Sequence, residues 1–354
     1  MTKSLLLPFL ASASISLLVT YPVIKLAWKF NLIDDPQKNI HPKVIHTKAT
    51  PRGGGLAIFF SIVIASLFFL PLDKHLKGII LGLVVLTIMG LLDDKYDLHP
   101  LLRLSIQFLA ASIPIAAGIG IAFWKTPFGN IIDLSHPQIN FFLFGQQRSI
   151  WILSDLFALL WIVTIINFLN WGAKGIDGQL SGVVIVAALT IAALSLRFSA
   201  DITEWPVTVL ALITSGAYLG FLPWHIYPQK IMPSFSGSNI AGFLLAVLSI
   251  LTTAKVGTLA LVLAVPLIDS GYTIVRRITS GKSPFWGDRG HLHHRLLDKG
   301  WNIHLICIFY WTITALLGFI SLNLNGESKL YTMVGLSLII GGFILWLAQK
   351  QKKS

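Results

Sequence analysis

Four short segments of this sequence hold most of the side chains able to do chemistry. His46-Thr-Lys-Ala-Thr-Pro-Arg-Gly-Gly-Gly55 places Lys48 and Arg52 beside a glycine run. Gly90-Leu-Leu-Asp-Asp-Lys-Tyr-Asp97 sets two adjacent carboxylates, Asp93 and Asp94, against the end of an apolar stretch. Asn167-Phe-Leu-Asn-Trp-Gly-Ala-Lys-Gly-Ile-Asp-Gly-Gln-Leu-Ser181 carries Asn167, Asn170 and Asp177. Ser283-Pro-Phe-Trp-Gly-Asp-Arg-Gly-His-Leu-His-His-Arg295 carries Asp288, Arg289, His291, His293, His294 and Arg295.

Each pattern points to a kind of chemistry. Carboxylates beside an apolar run are costly near lipid, and a helix C-terminus favours cations over anions. Such a pair binds Mg²⁺ or supplies a general base. Asn167 and Asn170 share a helix face, and Gly-Ile-Asp-Gly presents Asp177 in a turn. Amides with a carboxylate suit recognition of a base or sugar; helix capping is the plain alternative. His291 and His294 lie three apart, with His293 expected to point elsewhere. With Asp288, Arg289 and Arg295 they suit a diphosphate. No cysteine is near, and the spacing is not that of a paired-histidine zinc helix. Lys48 and Arg52 can hold phosphate or simply anchor an interfacial loop.

What must position these segments is a membrane bundle. The chain has 354 residues, 55% hydrophobic and 12% charged, far from the roughly 25% charged residues of soluble domains. Mean hydropathy is +0.75. Apolar runs of spanning length recur throughout, continuous rather than alternating, so the fold expected is an all-α polytopic integral membrane protein and not a β-barrel. The expected spans are Leu5–Trp28, Gly54–Leu70, Leu76–Leu92, Leu101–Ala122, Ile150–Leu169, Gly182–Leu196, Trp205–Leu222, Ile240–Thr253, Val256–Val275, Ile303–Leu322 and Leu330–Leu347, about eleven in all. The N-terminal run carries no small-residue cleavage site and reads as the first span. Residues 1–354 form one domain with no soluble module. Phe123–Ser149 is a connection that can form a short β-hairpin. Cys307 excludes an intrachain disulfide.

Net charge is +12. In a membrane protein this reads as span-flanking Lys and Arg facing anionic lipid, not as nucleic-acid binding. With the N-terminus outside and the C-terminus cytoplasmic, most Lys and Arg fall in inside segments. Parity of crossing then puts Asp34–Arg52, Asp93–Arg103, Asn167–Ser181 and Arg276–Gly300 on that same cytoplasmic face. A transporter would instead place its polar groups at mid-membrane helix breaks.

Leu-Leu-Asp-Asp and Gly-Asp-Arg-Gly-His-Leu-His-His, with the other two segments in this order, resemble the polyprenyl-phosphate N-acetylhexosamine-1-phosphate transferases, of the glycosyltransferase family 4 type. The resemblance covers about residues 30–300. Pro-Arg-Gly-Gly and His-Leu-His-His are closer to its common-antigen branch than to its pentapeptide branch. It implies phosphoglycosyl transfer from a UDP-N-acetylhexosamine to undecaprenyl phosphate at a bacterial cytoplasmic membrane, with Mg²⁺ or Mn²⁺ and release of UMP. It further implies Asp93 and Asp94 at the lipid phosphate and, with Asp177, at the metal. Asn167, Asn170 and Asp177 would meet nucleotide and sugar. His291, His293, His294 and Arg295 would grip the diphosphate, helped by Lys48 and Arg52. The implied partners are both substrates and the bilayer; a homodimer is left open.

Two segments depart from the family pattern, at three positions. Its Gly-Asp-x-Gly-Ser segment, whose Asp ligates Mg²⁺, matches Ser234-Phe-Ser-Gly-Ser238, so Phe235 stands at the acid. The first Asp of its Asp-Gly-x-Asp-Gly segment is missing, and Lys174 lies nearest that place; His225 stands where an Asn is expected. The expectation is an active transferase, alternatively a family member that binds lipid phosphate or nucleotide without turnover.

Overall fold

In hydrocarbon a backbone must satisfy its own hydrogen bonds, so long apolar runs become helices. The computed structural model describes residues 2–37, 46–126, 128–143, 146–197, 204–252, 255–283 and 289–351. Its helices are α1 (Thr2–Lys29), α2 (Gly55–Phe69), α3 (Lys74–Tyr96), α4 (Pro100–Ala116), α5 (Ile152–Gly172), α6 (Gln179–Arg197) and α7 (Glu204–His225). There follow α8 (Ser234–Leu251), α9 (Lys255–Val262), α10 (Ala264–Thr279), α11 (Leu292–Asp298), α12 (Ile303–Asn323) and α13 (Gly326–Gln351). Three small antiparallel pairs complete the described structure. β1 (Ile33–Asp34) pairs with β2 (Thr50–Pro51), β3 (Phe123–Lys125) with β4 (Ile131–Asp133), and β5 (Gln138–Leu143) with β6 (Gln146–Trp151). The segment expected to hold one hairpin thus holds two.

Among the described residues, eight helices are long and apolar enough to cross a bilayer: α1, α3, α5, α6, α7, α8, α12 and α13. The chain is a polytopic α-helical membrane protein. Helices α2 and α4 are apolar but shorter, at 15 and 17 residues. The expected Val256–Val275 span is not one rod. It breaks between α9 and α10 with a bend of 81°. Pro266 explains the break: it has no N–H for the carbonyl four residues back, and its ring crowds that turn. The expected Leu101–Ala122 span ends early, at Ala116. Gly118 there adopts φ +100° and donates to Ile115 O, while Ile119 donates to Pro114 O, a Schellman stop.

Helix α8 is the axis. Every residue from Ser234 to Ile250 is buried, and α2, α3, α5, α6, α7 and α9 pack around it. Glycines let the neighbours approach. A Cβ at Gly55 would lie 2.3 Å from Gly237 N, and one at Gly90 2.4 Å from Ser236 Cα. Gly90→Ala is therefore expected to cost about 1–3 kcal/mol by overpacking. A lowered thermal midpoint of the detergent-solubilised protein would show it; an unchanged midpoint would refute the close contact. Polar links also cross the apolar interior. Asn167 of α5 donates to Gln107 of α4 (2.7 Å), Gln107 to Asn239 of α8 (3.0 Å), and Asn239 to Phe235 O (2.8 Å). Buried amide bonds of this kind tie helices together where lipid offers no partner.

Candidate active site

The ends of these helices enclose a polar cavity of about 820 Å³. Its floor is the start of α8, at Ser234 and Phe235. Around it stand Asp34 and Arg52 from the β1–β2 region, Asp93 and Asp94 from α3, and Arg103 from α4. The end of α5 adds Asn170 and the α5–α6 connection Lys174 and Asp177; α10 and the start of α11 add Arg277, His291, His293 and His294. His46 and His225 also line it.

The first segment is locked by main-chain bonds. Arg52 N donates to Leu32 O, Met232 N to Pro51 O, and Gly54 N to Met232 O. This aims the Arg52 guanidinium at Asp34 (3.4 Å) and at the Asp94 carbonyl (3.3 Å).

The adjacent carboxylates divide their work. Asp93 is clamped by Arg103 Nε at 2.6 Å and by the Leu98 N–H at 3.1 Å. Asp94 Oδ1 accepts the N–H of Phe235 at 3.3 Å. Helix α8 has no side-chain cap of its own, so α3 supplies one, with the carboxylate at the positive helix end. The other oxygen, Asp94 Oδ2, is buried without a hydrogen-bond partner among the described residues. Buried acceptors are normally satisfied, so this one marks a place for a group that arrives.

Asp269 repeats the capping arrangement. It is fully buried in α10 and accepts His291 Nδ1 and the Leu292 N–H, both at 2.9 Å. The pair caps α11 and fixes His291, leaving Nε2 for the cavity. The expectation that His293 points away is corrected. His291 precedes α11 with extended dihedrals, so helical spacing does not govern it. His291 and His293 stack with ring centres 5.6 Å apart, and His293 and His294 lie at 4.5 Å. Gly175 makes room for this cluster: a Cβ there would sit 1.8 Å from His293 Nε2.

Other expected residues lie elsewhere. Lys48 is exposed and does not line the cavity. Asn167 serves the amide chain between helices. Arg289 pairs with Asp298 at 2.7 Å, outside the lining. Arg295 is buried and closes its own loop on Gly290 O at 2.8 Å. Asp288 lies outside the described residues. Arg103, Arg277, Asp34 and Asp269 were not singled out from sequence. Asp269 did leave a signal, an acid inside an apolar run, which in a membrane protein marks function.

Asp177 accepts the Gln229 N–H at 3.2 Å. Burial pushes its pKa above the ordinary carboxylate range, against the lowering effect of that N–H and of His46. Phe235 is 6% exposed, with the Arg103 guanidinium 5.2 Å and the Lys174 ammonium 5.4 Å from its ring centre. The implied Mg²⁺ site on Asp93, Asp94 and Asp177 does not fit this arrangement. Mg²⁺ wants octahedral oxygens. Here Asp93 is committed to Arg103, Phe235 offers no oxygen, and two cations occupy its neighbourhood. Among the described residues no three His, Cys, Asp or Glu side chains converge as a metal-binding group.

Comparison with known proteins fits this geometry. Residues 76–253, from α3 to just past α8, match Glycosyl transferase family 4. The chain is 29% identical, over 82% of its length and 77% of the relative's, to a probable undecaprenyl-phosphate N-acetylglucosaminyl 1-phosphate transferase of Bacillus subtilis. It is 29% identical, over 96% of its length and 88% of the relative's, to the decaprenyl-phosphate N-acetylglucosaminephosphotransferase of Mycobacterium tuberculosis. A phospho-N-acetylmuramoyl-pentapeptide-transferase of Staphylococcus epidermidis is 25% identical over 77% of the chain and 84% of its own length. The matched half of the chain holds both α3 aspartates, the α5–α6 connection and the start of α8, and the chain belongs to glycosyl transferase family 4 as a phosphoglycosyl transferase.

Proposed function

We propose that this enzyme transfers an N-acetylhexosamine 1-phosphate from a UDP-sugar to undecaprenyl phosphate and releases UMP. The setting is the cytoplasmic face of a bacterial inner membrane, in synthesis of a cell-envelope polysaccharide or peptidoglycan. The names of the relatives support transfer of a phosphosugar to a polyprenyl phosphate. The observation that carries the reading is the unpartnered Asp94 oxygen inside a cation-lined cavity at the ends of apolar helices. A lipid phosphate can reach that place from the membrane and a nucleotide sugar from the water. An N-out, C-in topology, with α2, α4 and the bent α9–α10 pair each counted as a span, puts the cavity in the cytoplasm and gives the positive-inside bias.

In the reaction, an acceptor phosphate oxygen bonds to the donor's β-phosphorus. The bond from that phosphorus to the bridging oxygen breaks, and its electron pair leaves with UMP. Charge is conserved if the acceptor is a dianion; a protonated acceptor gives its proton to Asp94 Oδ2. Arg52, Arg277 and the histidine cluster neutralise phosphate oxygens, and His291 presents Nε2 as a donor when protonated. Asn170 and Asp177 meet the nucleotide or sugar. Phosphoryl transfer needs little else than such positioning and charge.

The test gives purified protein UDP-GlcNAc and undecaprenyl phosphate, with and without Mg²⁺, and follows UMP. UMP release in step with lipid-linked product is expected. Nucleotide binding with no UMP from any of several UDP-sugars would replace this reading with one of a binding protein without turnover.

A further inference from the structure

The cavity holds two cations, Arg103 and Lys174, where the related enzymes are expected to hold a metal. Phe235 opens α8 on the cavity floor and cannot ligate an ion. Over its ring lie the Arg103 guanidinium at 5.2 Å and the Lys174 ammonium at 5.4 Å. An aromatic face attracts cations, and here it gathers two of like charge. Arg103 does not wander. Its guanidinium is held by Asp93 at 2.6 Å, by Asp97 and by the Leu98 carbonyl at 2.7 Å. Lys174 lies in the α5–α6 connection, within electrostatic reach of both Asp93 and Asp94.

At the Phe235 position an aspartate with a divalent ion would carry one net positive charge, and phenylalanine with Lys174 carries the same; the second acid missing near Lys174 leaves this part of the cavity one unit more positive still. We infer that Lys174, with Arg103 held beside it on Phe235, takes the place of the divalent cation at the diphosphate, so that nucleotide binding and transfer need no metal. Lysine binds phosphate as a point charge, and arginine adds directed donors. This inference rests on the phosphosugar-transfer reading above.

The experiment uses the full-length protein in detergent. Binding of UDP and release of UMP are measured in excess EDTA and in excess Mg²⁺. The two conditions are expected to agree within about threefold, well short of the tenfold that each 1.4 kcal/mol would give. Lys174→Met is expected to weaken UDP binding in EDTA by about tenfold, the loss of one charge-assisted hydrogen bond. Lys174→Asn combined with Phe235→Asp is expected to make binding depend on Mg²⁺. Each variant's thermal midpoint is recorded, and the EDTA comparison on the unaltered protein does not depend on their folding. Wild-type binding and turnover that vanish in EDTA and return with Mg²⁺ would overturn the inference and leave the transferase reading standing. Failure to bind UDP in either condition would overturn both.

Discussion

Asp94→Asn is expected to lower turnover by about 10²–10⁴-fold, the range for loss of a group that transfers a proton in the reaction. The substitution is informative because the two carboxylate oxygens have separate partners. Asparagine keeps Oδ1 and can still accept the Phe235 N–H that caps α8. Only the unpartnered oxygen is exchanged, for an amide N–H₂. The bundle should therefore fold with a near-normal thermal midpoint and UDP should still bind, while UMP release collapses. Turnover within about threefold of the unaltered enzyme would remove Asp94 from the chemistry. A collapsed midpoint would instead show that the charge on the α8 cap is what the fold requires.

Asp269→Asn is the second large effect, and it acts through another residue. Asp269 accepts two N–H groups, one at each oxygen, with no exposed surface. An asparagine can accept at one; its own N–H₂ then faces the other donor. A buried donor left unpaired costs about 1–3 kcal/mol, so the thermal midpoint should fall. His291 also loses the partner that sets which ring nitrogen carries the proton. Removal of the carboxylate behind a metal-bound histidine typically costs about 10–100-fold, and a loss of that order is expected here if Asp269 orients His291 for phosphate in the same way. The readout that separates positioning from mere stability is the pH profile of UMP release below the unfolding temperature. A changed pH profile would report that the loss acts through the reacting groups and not through stability alone. A lowered midpoint with an unchanged rate and pH profile would make Asp269 purely structural.

Much of this was legible in the sequence, because apolar run length and polar clustering survive folding without change. The four chemistry-bearing segments do meet around one cavity, each contributing at least one lining residue. What sequence could not show was the partner of each group. Asp93 and Asp94 look equivalent as neighbours, yet one is closed by Arg103 and the other left open. Asn167 and Asn170 share a face, but Asn167 turns to Gln107 and Asn170 accepts Ser238 Oγ at 2.8 Å. Arg295 looks like a diphosphate ligand and instead closes its own loop. Arg277, counted from sequence only as a flanking cation, is buried in the cavity wall. Helical periodicity misplaced His293 because α11 starts one residue later than the histidine run. Some of these misses turn on partners far along the chain, as for Asn167 with Gln107, and others on local closures that spacing alone does not reveal, as for Arg295 with Gly290.

The two carboxylate caps have different consequences for how the protein assembles. Asp269 meets Leu292 only 23 residues on, so this pair can close soon after both segments leave the ribosome. It is also the fully buried one, least able to remain solvated while waiting. Asp94 meets Phe235 across 141 residues and must wait for α4 to α7 to insert first. It waits at the end of α3, where water can still reach it. Loop-closure cost grows with that separation, so docking of α8 between α2 and α3 is expected to be a late step of biogenesis. Nascent chains ending before residue 234 would carry the α3 acids without their helix cap, and would be natural clients for membrane quality control.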